Sequence, residues 1–124
     1  MAVNGPTQAP PSPWPEGLTR VPFWAFQRED VYAQEQKRIL QGPSWSFLCL
    51  ETDVANPGDW RSTFVGDAPV VVARNGAGEI HAFENRCAHR GALICLDDKG
   101  KAAKGFSCVY HAWTCLLYTS DAAD

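Results

Sequence analysis

Two short Cys/His pairs constrain this 124-residue chain more than any other feature. Cys87 and His89 are separated by one residue, and Cys108 and His111 are separated by two. Each pair can sit at the tip of a short loop, and two such tips facing each other would supply two thiolates and two imidazoles. The sequence therefore predicts a metal centre with a mixed sulfur and nitrogen ligand set.

Two kinds of metal centre use this ligand set. In a Rieske [2Fe–2S] cluster two His replace two of the four usual Cys, whereas a structural zinc ion is bound by two Cys and two His together. Zinc fingers usually place both Cys before both His, but each loop here supplies one of each. This order favours the iron–sulfur cluster and keeps zinc as the alternative. A Cys87–Cys108 disulfide would leave both histidines unexplained.

The two pairs lie in longer runs that resemble one protein family. Residues 82–93, which read AFENRCAHRGAL, and residues 108–114, which read CVYHAWT, are similar to the α (large) subunits of Rieske non-haem iron aromatic-ring-hydroxylating dioxygenases. Within that family the similarity is greatest to enzymes acting on aromatic carboxylates, such as terephthalate, anthranilate and salicylate. The resemblance extends back to about residue 18 and stops at Thr114.

The resemblance implies how the ligands divide between the irons. Cys87 and Cys108 would bind the inner iron, and His89 and His111 would bind the outer iron. The imidazole edges would then be the natural exit for an electron, because they reach towards solvent or a partner protein.

The resemblance also implies that four neighbouring residues complete the cofactor-binding site, namely Arg90, Gly91, Tyr110 and Trp113. Gly91 would let the backbone pass close to the cluster. Tyr110 and Trp113 would shield the cluster from water. Arg90 would stabilise the reduced cluster or meet an acidic partner, with a surface salt bridge as the alternative.

The chain after residue 43 predicts a mainly β fold. Short apolar runs at residues 45–51, 61–65, 69–74 and 79–83 are typical of strands, and residues 97–100 read as a polar loop between the two ligand pairs. Residues 44–114 are therefore predicted to form a small antiparallel Rieske domain with both ligand loops at one end.

The flanking segments differ in character. Residues 1–17, with five prolines, are predicted to be a disordered arm. Residues 18–43 form an N-terminal helical segment, with a helix at 29–41 that Asp30 would cap. Residues 115–124 depart from the family pattern and are predicted to be a non-native tail, with a divergent C-terminus as the alternative. The Rieske domain would thus be incomplete, and the chain truncated before the catalytic α+β domain.

Composition restricts the partners and the compartment. The net charge of −3 and the lack of a basic run give no indication of nucleic-acid binding. No apolar stretch approaches the ~20 residues of a membrane span, and no secretory signal is visible. The expected location is the cytoplasm. Cys49 is predicted to be a small core residue, Cys95 a spare thiol between the two ligand loops, and His81 a surface histidine or a hydrogen-bonded core histidine.

The resemblance implies an enzyme, a Rieske-type dioxygenase, as the intact parent, and an inactive fragment here. The parent would take electrons from a reductase or ferredoxin and pass them to a mononuclear Fe(II), absent here, for dihydroxylation of an aromatic carboxylate. It would assemble as an α3 or α3β3 oligomer. A stand-alone Rieske ferredoxin is the alternative, but the 43 residues before the first predicted strand favour the oxygenase. A zinc-stabilised module is the third possibility.

Overall fold

The computed structural model describes residue 14, residues 20–102 and residues 105–115. Apart from Trp14, the predicted arm of residues 1–17 lies outside the described residues, as do the tail residues 116–124. Among the residues described, no helix is long and apolar enough to cross a membrane.

In the part of the chain that the structure describes, six antiparallel strands confirm the predicted mainly β fold. Their bounds are β1 Asp59–Val65, β2 Ala68–Arg74, β3 Ile80–Glu84, β4 Lys99–Lys101, β5 Phe106–Ser107 and β6 Thr114–Cys115. The first four form a sheet in the order β3-β2-β1-β4, and β5 pairs with β6 as a separate hairpin.

Strand β2 lies inside the sheet, between β1 and β3, as its continuous apolar run predicts. Val71 and Ala73 are fully buried on one face, and Val72 on the other face is only 3% exposed. On the first face the core also contains Cys95, Ala102 and Phe106.

Phe106 joins the β5–β6 hairpin to the sheet. Its ring centroid lies 5.4 Å from that of Phe83 on β3 and 6.0 Å from that of Trp60 on β1. Because aromatic pairs of this geometry stabilise a core beyond their buried area, the hairpin is held at a fixed place on the sheet.

The predicted helix at residues 29–41 is present in two parts. Helix α1 spans Glu29–Glu35, and a π-helical turn follows at Gln36–Leu40. The predicted cap is wrong, because the N-cap residue is Arg28, which makes no side-chain capping bond. Asp30 instead forms an ion pair with the Arg28 guanidinium at 2.7 Å.

Helix α1 is fastened to the turn between β1 and β2. The Tyr32 hydroxyl donates to the Asp67 carboxylate at 2.5 Å, and the buried Gln36 side chain accepts from the Asp67 backbone N–H at 3.0 Å. These bonds fix the N-terminal segment against the sheet.

Two predicted elements are wrong. Residues 45–50 form no strand, and a 3₁₀ turn follows at Glu51–Val54. A strand needs a hydrogen-bonded partner strand, and no described strand pairs with this segment. The predicted polar loop at residues 97–100 ends inside strand β4, which pairs with β1. Its lysines suit an exposed edge strand, and Gly100 leaves room for the indole of Trp60 opposite it.

Candidate metal centre

The two ligand loops are supported by different parts of the sheet assembly. The first loop directly follows β3, and the second is the tip of the β5–β6 hairpin. Both loops therefore start from strands that pack on the same core, which contains Phe83 from β3 and Phe106 from β5.

The first loop is closed by two backbone hydrogen bonds. The Cys87 N–H donates to the carbonyl of Ala92 at 2.7 Å, and the Gly91 N–H donates back to the carbonyl of Cys87 at 2.8 Å. Gly91 has a φ of 72°, in the left-handed region that favours glycine. An added Cβ there would meet no protein atom within 4 Å. The positive φ, and not a lack of space in the protein, therefore favours glycine at this position.

The second loop repeats this backbone pattern. The Cys108 N–H donates to the carbonyl of Trp113 at 2.8 Å, and the Ala112 N–H donates to the carbonyl of Cys108 at 2.9 Å. Ala112 has a φ of 58° and is the one non-glycine residue with positive φ among those described. It occupies the position that Gly91 holds in the first loop. The two loops therefore have equivalent backbones despite their different His spacing.

The four predicted ligand residues come together in this arrangement. Cys87 and Cys108 are buried, with 7% and 3% exposure, and the Cys87 thiol helps to lower the pKa of the Cys108 thiol. His89 and His111 are exposed, and their ring centroids lie 4.8 Å apart in an edge contact. The site thus has an inner pair of thiols and an outer pair of imidazoles.

Backbone N–H groups favour the ionised form of one thiol. Hydrogen bonds lower the pKa of the Cys108 thiol. The backbone N–H of Tyr110 has the largest effect, and the backbone N–H of His111 and the Cys87 thiol add smaller ones, while burial raises the pKa. A thiolate is the form that binds metals. The second loop therefore prepares Cys108 to act as a ligand.

The donors are arranged in pairs rather than around one point. Within residues 20–102 and 105–115, no three Cys, His, Asp or Glu side chains converge on a single ion position. A two-iron cluster takes two protein ligands at each iron. The two buried thiols and the two exposed imidazoles match that requirement.

Aromatic rings contact both imidazoles. The indole of Trp113 stacks on His89 with centroids 4.5 Å apart and planes 5° apart. The ring of Tyr110 meets His111 edge-on at 4.2 Å. Of the other predicted neighbours, Arg90 is exposed.

Asn85 is a site residue that the sequence did not reveal. Its buried side chain accepts from the N–H groups of Cys95 at 2.8 Å and Ile94 at 3.1 Å, and it donates to the carbonyl of Cys95 at 2.8 Å. These three bonds tie the two ends of the first loop together. An Asn just before the ligand pair was the available signal, since Asn side chains often bond to nearby backbone.

The remaining predicted residues lie away from the ligand pairs. Cys95 packs in the core, and burial raises the pKa of its thiol to about 11, which disfavours metal binding. Cys49 is only partly buried, and burial raises the pKa of its thiol too. His81 bonds to Asn75 at 3.0 Å, as predicted for a hydrogen-bonded histidine.

Comparison with known families identifies the family and the fold. A family model described as "Rieske [2Fe-2S] domain" matches residues 44–120. The chain belongs to the Rieske [2Fe–2S] domain family. The Rieske match begins at residue 44, where the domain was predicted to begin, and runs past Thr114 into the predicted tail.

Curated relatives of this Rieske chain are large subunits of ring-hydroxylating oxygenases, which confirms the resemblance. It is 52% identical over 96 residues to the terephthalate 1,2-dioxygenase terminal oxygenase component subunit alpha 2 of Comamonas sp, covering 77% of this chain and 23% of that protein. It is 50% identical over 96 residues to the anthranilate 1,2-dioxygenase large subunit of Burkholderia cepacia, covering 77% and 22%.

A third curated relative and two solved structures are also similar to this chain. The large oxygenase component of salicylate 5-hydroxylase from Ralstonia sp is 44% identical over 105 residues, covering 84% of this chain and 25% of that protein. Naphthalene 1,2-dioxygenase from Rhodococcus sp., bound to indole, has a TM-score of 0.68 at 32% identity, covering 73% of this chain and 20% of that one.

A quaternary ammonium Rieske monooxygenase with gamma-butyrobetaine has a TM-score of 0.67 at 31% identity, covering 82% of this chain and 29% of that one. The chain spans about a quarter of the length of the curated relatives, 22–25%.

Proposed function

We propose that this chain is the electron-transfer portion of an aromatic-ring-hydroxylating dioxygenase α subunit. The observation that carries the proposal is the pairing of two buried thiols and two exposed imidazoles on backbone-equivalent loops. When bound there, a Rieske [2Fe–2S] cluster would accept and release one electron.

The residues fit that cluster in defined roles. Cys87 and Cys108, which are buried, would hold one iron, and His89 and His111, which are exposed, would hold the other. Because the imidazoles are exposed, their edge is the part of the site that a partner protein can approach. Arg90 directly follows His89 in the chain and is exposed, so it can meet an acidic group on such a partner.

The rest of the proposal concerns the parent protein. It would receive electrons from a reductase or ferredoxin, and a mononuclear Fe(II) in a catalytic domain outside this chain would support O₂-dependent dihydroxylation of an aromatic carboxylate. The names of the terephthalate, anthranilate and salicylate relatives support this substrate class. We further propose a cytoplasmic α3 or α3β3 oligomer. A stand-alone ferredoxin is less well supported, because these three relatives are oxygenase subunits.

The cluster is tested by reconstituting the metal-free chain with iron and sulfide and recording the EPR spectrum after reduction. We expect a Rieske-type signal in which two histidine nitrogens couple to the cluster. Cys108→Ser should abolish the signal, whereas Cys49→Ser, a matched change at a partly buried thiol, should retain it. Tight binding of a single zinc ion with no iron–sulfur signal would refute the cluster assignment.

The oxygenase assignment needs a separate test. Sequencing independently amplified source DNA through codon 114 and onward should show a frame that continues into a domain with two His and one carboxylate. The same DNA decides whether residues 115–124 are native. A frame that closes soon after the last Rieske strand would identify an electron carrier instead.

A further inference from the structure

We propose that the second ligand loop orients both histidines, with Trp113 acting across the gap as the positioning residue for His89. The inference rests on the proposed cluster function and deepens it by assigning the control of the histidine pair to one loop. Trp113 would not bind iron itself, and its effect would pass through the ring on which it stacks.

The contact between Trp113 and His89 is a nearly parallel stack. The two planes differ by 5°, and the ring centroids are 4.5 Å apart. A stack engages the face of the imidazole and leaves its edge, which carries both ring nitrogens, open for a metal. The contact can therefore fix the angle of the ring without competing for the ligand atom.

The indole projects from a fixed point of the backbone. The carbonyl of Trp113 accepts the N–H of Cys108 at 2.8 Å, so the stacking residue is bonded directly to a ligand residue of its own loop. Trp113 is half-buried, whereas His89 is exposed. The indole is therefore the fixed ring of the pair, and the stack restricts the orientation of the imidazole.

The first loop offers no equivalent support. The residue that corresponds to Trp113 in its backbone pattern is Ala92, and residues 88–92 include no aromatic residue besides His89 itself. In the second loop, by contrast, His111 has Tyr110 against it at 4.2 Å. Both imidazoles consequently rest on aromatic rings that the second loop provides.

Ring orientation matters because the outer torsion of histidine is soft. It has broad, roughly two-fold preferences, so an unsupported imidazole presents its nitrogen over a wide range of angles. An aromatic pair is strong enough to hold one orientation. Losing the stack should accelerate loss of the cluster about two- to tenfold, by the size of such pairs.

The stack itself is tested first, in the metal-free chain, by NMR of the histidine ring protons. Protons above an indole face are shielded, so the His89 signals should lie upfield of those of His81. Trp113→Leu should remove that shielding, and Trp113→Phe should retain part of it. Trp45→Leu is the matched control, because Trp45 is fully exposed, and it should leave the His89 signals in place. Signals of His89 that do not move in Trp113→Leu would overturn the proposal.

The consequence is tested in the reconstituted chain, by following cluster bleaching with a chelator. We expect Trp113→Leu to bleach about two- to tenfold faster than the parent sequence, and Trp113→Phe to restore most of the difference. Unchanged bleaching in Trp113→Leu, with His89 shown to have moved, would overturn the positioning role. If the parent sequence assembles no cluster at all, the proposed function fails, while the NMR experiment still decides the stack.

Discussion

Ala112 is the residue whose substitution best tests the description of the ligand loops. It holds a φ of 58° at the position where the first loop has Gly91, whose φ is 72°. The left-handed conformation costs an L-residue about 1–2 kcal/mol. Glycine loses about 0.4–1 kcal/mol more on folding, through its larger freedom in the unfolded chain. Ala112→Gly should therefore stabilise the metal-free chain by about 0.5–1 kcal/mol.

The reciprocal substitution should have the opposite sign. Gly91→Ala places a Cβ where no protein atom lies within 4 Å, so its cost is conformational and not steric. We expect it to destabilise the metal-free chain by about 0.5–1 kcal/mol. Equivalent loop positions thus predict two changes of equal size and opposite direction.

Urea unfolding of the metal-free chain, followed by tryptophan fluorescence, measures both variants. With a typical dependence on urea, the midpoints should shift by about 0.5 M, upwards for Ala112→Gly and downwards for Gly91→Ala. The matched control is Ala77→Gly, the same change in an exposed turn where φ is not positive. This control should destabilise the chain by about 0.5–1 kcal/mol. An Ala112→Gly variant that loses as much stability as Ala77→Gly would refute the left-handed assignment.

Three further variants test the core and the bonds that join the two ends of the first loop. Asn85→Ala removes three hydrogen bonds, two of them buried, and leaves the Cys95 N–H unpaired, so urea unfolding should show a loss of about 2–4 kcal/mol. Gly100→Ala would place a Cβ 2.6 Å from the Trp60 indole, and the same assay should show a loss of about 1–3 kcal/mol. Burial raises the pKa of Cys95 from 9.0 to about 11, so the folded chain keeps this thiol protonated after the unfolded chain has lost the proton. The resulting stability is present below about pH 9 and is lost as the pH rises to about 11, with an upper limit of about 2.7 kcal/mol. Unfolding free energies measured from pH 8 to 11 should therefore fall more steeply for the parent sequence than for Cys95→Ala.

Each of these expectations has a control or a contrary result. Asn56→Ala removes an exposed bond to Asp59, at 3.1 Å, and should cost less than about 0.5 kcal/mol. An equally small loss for Asn85→Ala would mean that the bonds of Asn85 do not hold the two ends of the first loop together. A wild-type midpoint after Gly100→Ala would show that Trp60 moves aside freely. Parallel pH curves for the parent and Cys95→Ala would exclude Cys95 as the titrating group.

Local features of the sequence were sufficient to identify the candidate ligands and to predict the central strand. The Cys and His residues are recognisable because cluster chemistry requires particular side chains at short spacings, and those spacings are written in adjacent residues. The apolar run of Val70 to Val72 predicted a buried strand because burial on both faces needs apolar side chains at successive positions. Each of these conclusions depends on neighbours in the chain.

Apart from the helix cap, the wrong or missing predictions depend on residues that are distant in sequence. Residues 45–50 have the composition of a strand, but none of the described strands pairs with them. Strand β4 forms in a polar stretch because β1 offers it a free edge. The left-handed φ of Ala112 follows from closing a loop between two strands, against the preference of alanine itself.

The sequence by itself therefore determined which residues are the candidate ligands, and the tertiary structure decided how they are held. The bonds of Asn85 to Cys95 and the stack of Trp113 on His89 join residues 10 to 24 positions apart. Such contacts exist only after the sheet and the hairpin have packed, because packing sets the distance between the two loops. No local pattern specifies that distance.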